Sequence, residues 1–458
     1  MKIPFKSPGR RRLVAILSVA LACLYVGLAA TLFAASWLGS RVELTSLKSA
    51  AWLDPGNAEY RNLLGRYFDL VKRDPKSAIG PYKAAVQLNP HSARFWFDLA
   101  SAYQVNGDTP DQTDALEHAI QADSMTPDVA WEAANLYLVQ GEKDKALREF
   151  RVVLANDSSL ADLAIQYCWR IEPDEDLLLR DVVPPNGSAY IAFLALLQNE
   201  VTRLLHDVAT AAADPDPASQ AQARSALEKA NQETAATSKV WAALIESRQP
   251  FEQRYATDYI RFLIGRKQVD QAVLVWQQSA SPKLFGLSSY LPSSANLIVN
   301  PRFILPVLNA GFDWQYQKQS GVKLRFDPND YHIVPGDSRL GRQSMTITFD
   351  GPGINDAGIY QYVAVQPGAT YDFSAYYKNA EQEGAGGPRF TIQDMYSQKI
   401  YFESDDLNDA GFWKAVNGEF TTGPDCKLVV LHVRRVPEGH PLRGKLWIDD
   451  FHLAPKPS

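Results

Sequence analysis

Ala85-Val86-Gln87-Leu88-Asn89-Pro90 repeats the pattern of Ala50-Ala51-Trp52-Leu53-Asp54-Pro55 at a distance of 35 residues, and Pro127, 37 residues beyond Pro90, closes a third stretch in which Ala119 and Ala122 recur. Each stretch is apolar at helical spacing and ends on a proline, which lacks the N–H a helix needs and clashes with the preceding turn. Outward from this echo, the chain from Arg41 to about Tyr290 is rich in Ala, Leu, Gln and Glu and has no run of strand-like alternation. Residues 39–290 therefore read as an all-helical repeat domain.

A period near 34 residues with a proline after the second helix of each unit resembles the tetratricopeptide repeat. The matching positions are Leu64, Gly65, Phe68, Ala78, Tyr82, Ala85 and Pro90 in one unit. The next has Trp96, Leu99, Ala100, Tyr103, Ala115, Ala119, Ala122 and Pro127, and a third has Trp131, Ala134, Tyr137, Gly141, Ala146 and Phe150. Leu44 to Pro55 reads as a second helix without its partner. After Asp157 the pattern loosens: Pro184-Pro185-Asn186-Gly187 and Asp214-Pro215-Asp216-Pro217 punctuate, a long helix is expected from Ser188 to about Ala212, and Thr257 to Gln278 again resembles a unit. Degenerate repeats are expected to about residue 280, forming a solenoid with an inner groove. The resemblance implies that groove residues come from the first helix of each unit, here Asn62, Arg66, Asp69, Arg94, Phe97, Ser101, Gln104 and Asn135, with a protein or extended peptide as partner.

Before the repeats, Leu13 to Leu38 is an uncharged apolar run long enough to cross a bilayer as a helix, and Lys2, Lys6, Arg10, Arg11 and Arg12 precede it. The positive-inside rule keeps residues 1–12 in the cytoplasm and places the bulk of the chain, beyond residues 13–38, outside, which in a bacterium is the periplasmic side of the inner membrane. A cleaved signal peptide is the competing reading, although its apolar core spans only about 7 to 15 residues. With only Gly27, Gly39 and Ser40 to weaken the path from membrane to array, the spanning helix is expected to run nearly straight into the first repeat helix.

At about Leu291 glycines and aromatics rise and short alternating runs replace helices, so residues 291–458 read as an all-β domain. Strands are expected at Ser344 to Asp350, Tyr360 to Val365, Thr370 to Lys378, Arg389 to Asp394, Glu419 to Thr421, Lys427 to Arg434 and Lys445 to Leu453, a number that suits a jelly-roll sandwich. Asn296 to Phe303, Gly311 to Trp314, Gln361 to Tyr371, Trp413 before Phe420, and Trp447 to Leu453 together resemble the carbohydrate-binding modules of the family 4 and 9 type. That resemblance implies a glycan ligand and a structural calcium near the chain ends. Ile304 stands where the family carries an acidic residue, leaving Asp450 and the carbonyls near Asn300 as the oxygens on offer. Period-2 alternation puts Tyr371, Phe373, Ala375, Tyr377, Val363, Val365, Val429, Leu431 and Val433 in the core. It leaves Tyr360, Tyr362, Tyr376, His432 and Arg434 on outward faces, where with Gln393 they are expected to line a sugar site of aromatic platform and hydrogen-bonding groups.

The whole chain carries 46 basic and 52 acidic residues, a formal charge of −6, which argues against nucleic acid. Cys23, Cys168 and Cys426 share no motif, and the seven histidines have no metal-ligand spacing. No phosphate loop, dinucleotide fingerprint or nucleophile elbow is present. The expectation is an α plus all-β multidomain chain without catalysis or cofactor: a membrane-anchored envelope scaffold that recruits a protein through the repeats and a glycan through the sandwich, by analogy in exopolysaccharide assembly or export. The alternative is a purely protein-binding scaffold.

Overall fold

The apolar run at the start forms helix α1 (Pro8–Gly39), whose 32 residues span on the order of 48 Å at 1.5 Å each. A computed structural model of the chain describes residues 8–214, 216–282, 284–334, 342–351 and 353–456, so Lys2, Lys6, Pro215 and Pro352 lie outside the described residues. Two compact units emerge, Met1–Gln249 and Pro250–Ser458.

In the first unit the expected straight passage from α1 into the repeats does not occur. At Gly39 the ring of Tyr60 sits where a Cβ would go, Ser40 Oγ donates back to Trp37 O at 2.8 Å, and the chain breaks before α2 (Leu44–Leu53). Ala35 of α1 is buried in one cluster with Leu47, Ala50 and Ala51 of α2 and with Tyr60 and Leu64 beyond it. The last turns of the apolar helix are thus the missing partner of the half repeat.

Three helical hairpins come next: α3 (Ala58–Arg66) with α4 (Pro75–Leu88), α5 (Ala93–Asn106) with α6 (Thr109–Ala122), and α7 (Pro127–Gln140) with α8 (Lys143–Asn156). Their first helices begin 35 and 34 residues apart. Local chemistry fixes the ends. The Asn57 and Asp74 side chains cap α3 and α4, Pro75 and Pro127 open helices, and Gly107 and Gly141, with φ near +80°, close α5 and α7. Ala78, Tyr82, Ala85, Phe95, Leu99, Ala100 and Ala115 fill the space between hairpins.

Beyond α9 (Ala161–Ile171) and the single turn α10 (Glu175–Leu177), the expected degenerate repeats give way to two long helices that pack along each other, α11 (Gly187–Ala212) and α12 (Pro217–Ser247). After Gly187 and Pro217 neither contains another Gly or Pro, so nothing stops them at repeat length.

The second unit begins with a hairpin of α13 (Gln253–Gly265) and α14 (Val269–Ser279). Ten strands succeed it: β1 (Gln315–Tyr316), β2 (Val322–Asp327), β3 (Ser344–Gly351), β4 (Asp356–Ala364), β5 (Thr370–Glu383), β6 (Gly387–Asp394), β7 (Ile400–Glu403), β8 (Lys414–Thr421), β9 (Leu428–Val436) and β10 (Leu442–Pro455). They make two antiparallel sheets, ordered β1-β4-β9-β6-β7 and β2-β3-β10-β5-β8. All seven expected strands are present; β1, β2 and β7 were not expected. Between the sheets lie Val363, Val365, Tyr371, Phe373, Ala375, Tyr377, Val429, Leu431 and Val433, as the alternation required, with Phe303, Trp314, Phe390 and Phe451.

Asp313 and Asp449 both bury their carboxyls in this packing. Asp313 accepts a hydrogen bond from the Leu308 N–H at 2.7 Å, yet burial pushes its pKa up to about 7. Its folded value lies above the unfolded one, near 3.9. Between about pH 4 and 7 the folded state therefore holds a proton that the unfolded state has lost, and the group's contribution to stability falls as pH rises through that window.

Two variants of the helical packing should respond in opposite directions. Gly65→Ala places a methyl inside the Tyr82 ring, and overpacking of about 1–3 kcal/mol outweighs the ~1 kcal/mol of helix propensity gained. Gly80→Ala in α4 meets nothing within 4 Å and keeps that gain. Thermal melts followed by helical circular dichroism should move down for the first variant and up for the second. In urea titrations, Asp313→Asn should gain on the unmutated chain as pH rises from about 4 to 7, by at most about 4 kcal/mol, and no further above that.

Candidate functional site

The outward face of the first sheet gathers five of the six sugar-site residues expected from sequence. Cross-strand register places Tyr360 opposite His432 and His432 opposite Thr391, with Tyr362, Val430 and Gln393 in the next row. Tyr360 and Tyr362 meet edge to face with ring centroids 5.4 Å apart, and the Tyr360 ring lies 5.9 Å from that of His432. Arg434 Nη1 donates to Gln393 Oε1 at 3.1 Å and its other nitrogen pairs with Glu438, while Gln393 Nε2 donates to Gln398 Oε1 at 2.9 Å. The Tyr360 hydroxyl donates to Gln315 Oε1 at 3.2 Å. His432 Nδ1 lies 3.1 Å from a carboxylate oxygen of Asp356, at ion-pair distance but without hydrogen-bond alignment. The face therefore sets aromatic rings beside amide and guanidinium groups held in place by neighbours, with both His432 nitrogens buried behind its ring, the mixture that grips the faces and hydroxyls of a sugar ring.

Tyr376 does not belong to it. It lies on β5 in the other sheet, stacked on His332 with centroids 3.5 Å apart. Alternation gives the face of a strand and not the sheet that strand joins, hence the misplacement. Tyr362 is on the expected face but largely covered, and burial pushes its phenol up to about 12. The cover is the α13–α14 hairpin: the Tyr396 hydroxyl donates to Ile264 O at 2.9 Å, Lys427 pairs with Asp270 at 2.5 Å, and Trp276 packs on Phe312. Two residues of the face escaped the reading of the sequence. Thr391 was already implied by the alternation of β6 through Gln393, whereas Gln315 sits on a two-residue strand that leaves no periodic signal.

On the first helices of the repeats, Asn62 Nδ2 donates to Asp98 Oδ2 at 2.7 Å, joining α3 to α5 across the expected inner face. Arg94 pairs with Glu59, and the Tyr82 hydroxyl lies 3.5 Å from Asp69. Arg66, Ser101 and Gln104 are half-buried, and Asn135 turns back to Trp131 O of its own helix. Phe97 is buried and belongs to the packing, not to a contact surface. Asp98 and Glu132, not singled out from sequence, occupy the same position on α5 and α7. Burial raises the pKa of both, with Asn62 and Arg66 opposing the shift at Asp98.

The oxygens suggested for calcium do not fit one. Asp450 faces the Arg302 side chain, 7% exposed, at 3.7 Å and His332 Nδ1 at 3.0 Å, and the Asn300 carbonyl accepts the Trp314 indole N–H at 3.1 Å. A buried guanidinium beside the carboxylate would repel a dication. Among the described residues no group of His, Cys, Asp or Glu could hold a metal ion.

Residues 296–437 match the family model described as a carbohydrate binding domain. No characterised protein in the comparison matches the chain. Among solved structures, one titled for the structure and function of a CBM4 is 20% identical over 35% of this chain and 99% of its own, with a TM-score of 0.26. TTC0263, a thermophilic TPR protein of Thermus thermophilus, is 22% identical over 27% of this chain and 69% of its own, at 0.25. YrrB, a TPR protein described as having an unusual peptide-binding site, is 18% identical over 30% and 79%, at 0.23. The chain joins a tetratricopeptide-like helical region to a carbohydrate-binding-module-like β-sandwich.

Proposed function

We propose that this chain is a non-catalytic scaffold, anchored in the bacterial inner membrane by α1, that holds a glycan on the open part of the first sheet and a protein partner on the helical repeats. The observation that carries the reading is the convergence of Tyr360, Gln393, His432 and Arg434 on one face of the region that matches a carbohydrate binding domain. Arg66, Asp98 and Glu132, of both signs, with the buried Asn62 bracing Asp98 from beneath, form the corresponding surface for a peptide or protein. Anchoring is supported by α1, the one helix among the described residues long and apolar enough to span a bilayer. An anchor, a recruiting array and a glycan platform in one chain suit the assembly or export of an envelope polysaccharide.

The test is binding of the full chain in detergent to arrayed envelope glycans, followed by calorimetry. Tyr360→Ala and Arg434→Ala should each weaken binding at least tenfold while thermal melts stay put. Binding indifferent to both, or no glycan bound, would sink the assignment of this face. The anchor is tested separately. After alkaline carbonate extraction the protein should remain in the membrane pellet, and its N-terminal sequence should still precede Leu13; a soluble product lacking residues 13–38 would mean cleavage.

A further inference from the structure

A crevice of about 290 Å³ separates α13 from the first sheet. Arg261 and Ile264 line it from the helix, Gln315, Tyr360 and Tyr362 from the strands, and Gln317 from just past β1. The helix is fixed over the sheet. Leu428 and Val430 point away from the sandwich core and yet are 0% and 3% exposed, and Tyr396 and Lys427 tie the hairpin at Ile264 and Asp270. At Gly311, φ +62°, a side chain would run into the Trp276 ring, so the β1 side of the crevice is pressed against α14 as well. The cover is therefore part of the binding unit.

The crevice is at the small end of ligand pockets, which run from about 300 Å³ upward, so it has room for about one sugar ring. Its polar groups are already ordered: Gln317 Nε2 donates to the Tyr360 hydroxyl at 3.5 Å, and that hydroxyl donates to Gln315. The two tyrosines supply an apolar wall and the two glutamines amides for hydroxyl groups. Among the lining residues only Arg261 carries a charge, and among the described residues only its Nη1 is engaged, by Asp258 Oδ1 at 2.9 Å. The rest of the guanidinium fork stays available to a carboxylate. A ring seated here is closed in by α13 on one side and by β1 and β4 on the other. Tyr360 belongs both to the crevice and to the row that holds His432, so neighbours in a chain can continue toward His432 and Arg434.

We infer that this crevice is a subsite for the terminal, carboxylate-bearing residue of a glycan, a uronic acid at the chain end, with the next residues of the glycan lying across Tyr360, His432 and Arg434. The inference rests on the proposed sugar-binding face and names what that face selects.

The test uses the full chain in detergent on an array pairing each uronate-terminated oligosaccharide with its carboxyl-reduced counterpart. Carboxyl reduction should weaken the best binders at least tenfold. Arg261→Gln should abolish that difference, whereas Arg434→Ala should weaken both members of a pair alike. Arg261 and Gln317 are exposed, so Arg261→Gln and Gln317→Ala leave the fold intact, as melts will check. If carboxyl reduction has no effect, or neither variant alters binding, the subsite is wrong while the open face stands. If no oligosaccharide binds at all, the sugar-binding face fails and the subsite with it.

Discussion

Strand β9 faces two interiors, and the second unit depends on that. Val429, Leu431 and Val433 point between the sheets, while Leu428 and Val430 point the other way and are equally buried. Alternation then puts His432 and Arg434 on the same face as Leu428 and Val430 but farther along, where the side chains are half-buried. One end of the face is apolar and covered, and the other is polar and half-buried. A strand polar at every outward position would have lost that apolar end, and one apolar throughout would have left no site.

How much of this was legible in the sequence depends on the range of the interaction involved. Helices α3 to α8 were readable because their signals are local: Ala and aromatic residues at helical spacing, Asp74 before Pro75, Gly107 and Gly141 at the ends. The core residues of β4, β5 and β9 were readable for the same reason, since period 2 needs only the strand itself. What failed was pairing. Tyr376 and Tyr362 have identical patterns, but β5 pairs with β10 and β8, and β4 with β9 and β1, so the two rings belong to different sheets. The polar pair Asn62 and Asp98, 36 residues apart, illustrates the intermediate case. The repeat register aligned their helices, but only packing showed that Asn62 is buried and used as a brace.

The end of α1 shows how a weak local signal decides geometry. Gly39 and Ser40 looked like minor interruptions, but glycine there lets the Tyr60 ring lie on the backbone, and the serine hydroxyl closes the last turn onto Trp37 O. Ala35 is buried against α2 as a consequence, so the apolar helix and the array share packing and not a linker. Whatever holds α1 thereby holds the orientation of the first repeats, because rotation between them would expose Ala35, Leu47 and Tyr60 together.

Burial also locates the edge of the sugar-binding unit. Composition changes at Leu291, which marks where helix gives way to strand, but the compact unit begins at Pro250 instead. Removing α13 and α14 would uncover Phe312 on the sandwich side, a loss of about 1.5–3 kcal/mol, and would take from Tyr396 and Lys427 their partners Ile264 and Asp270. It would also remove Arg261 and Ile264 from the crevice beside Tyr360 and Tyr362. A sandwich cut at Leu291 would thus carry an exposed Phe312 next to half a site. The helical hairpin resembles a repeat unit in sequence, but in energy and in chemistry it is the lid and one wall of the β domain.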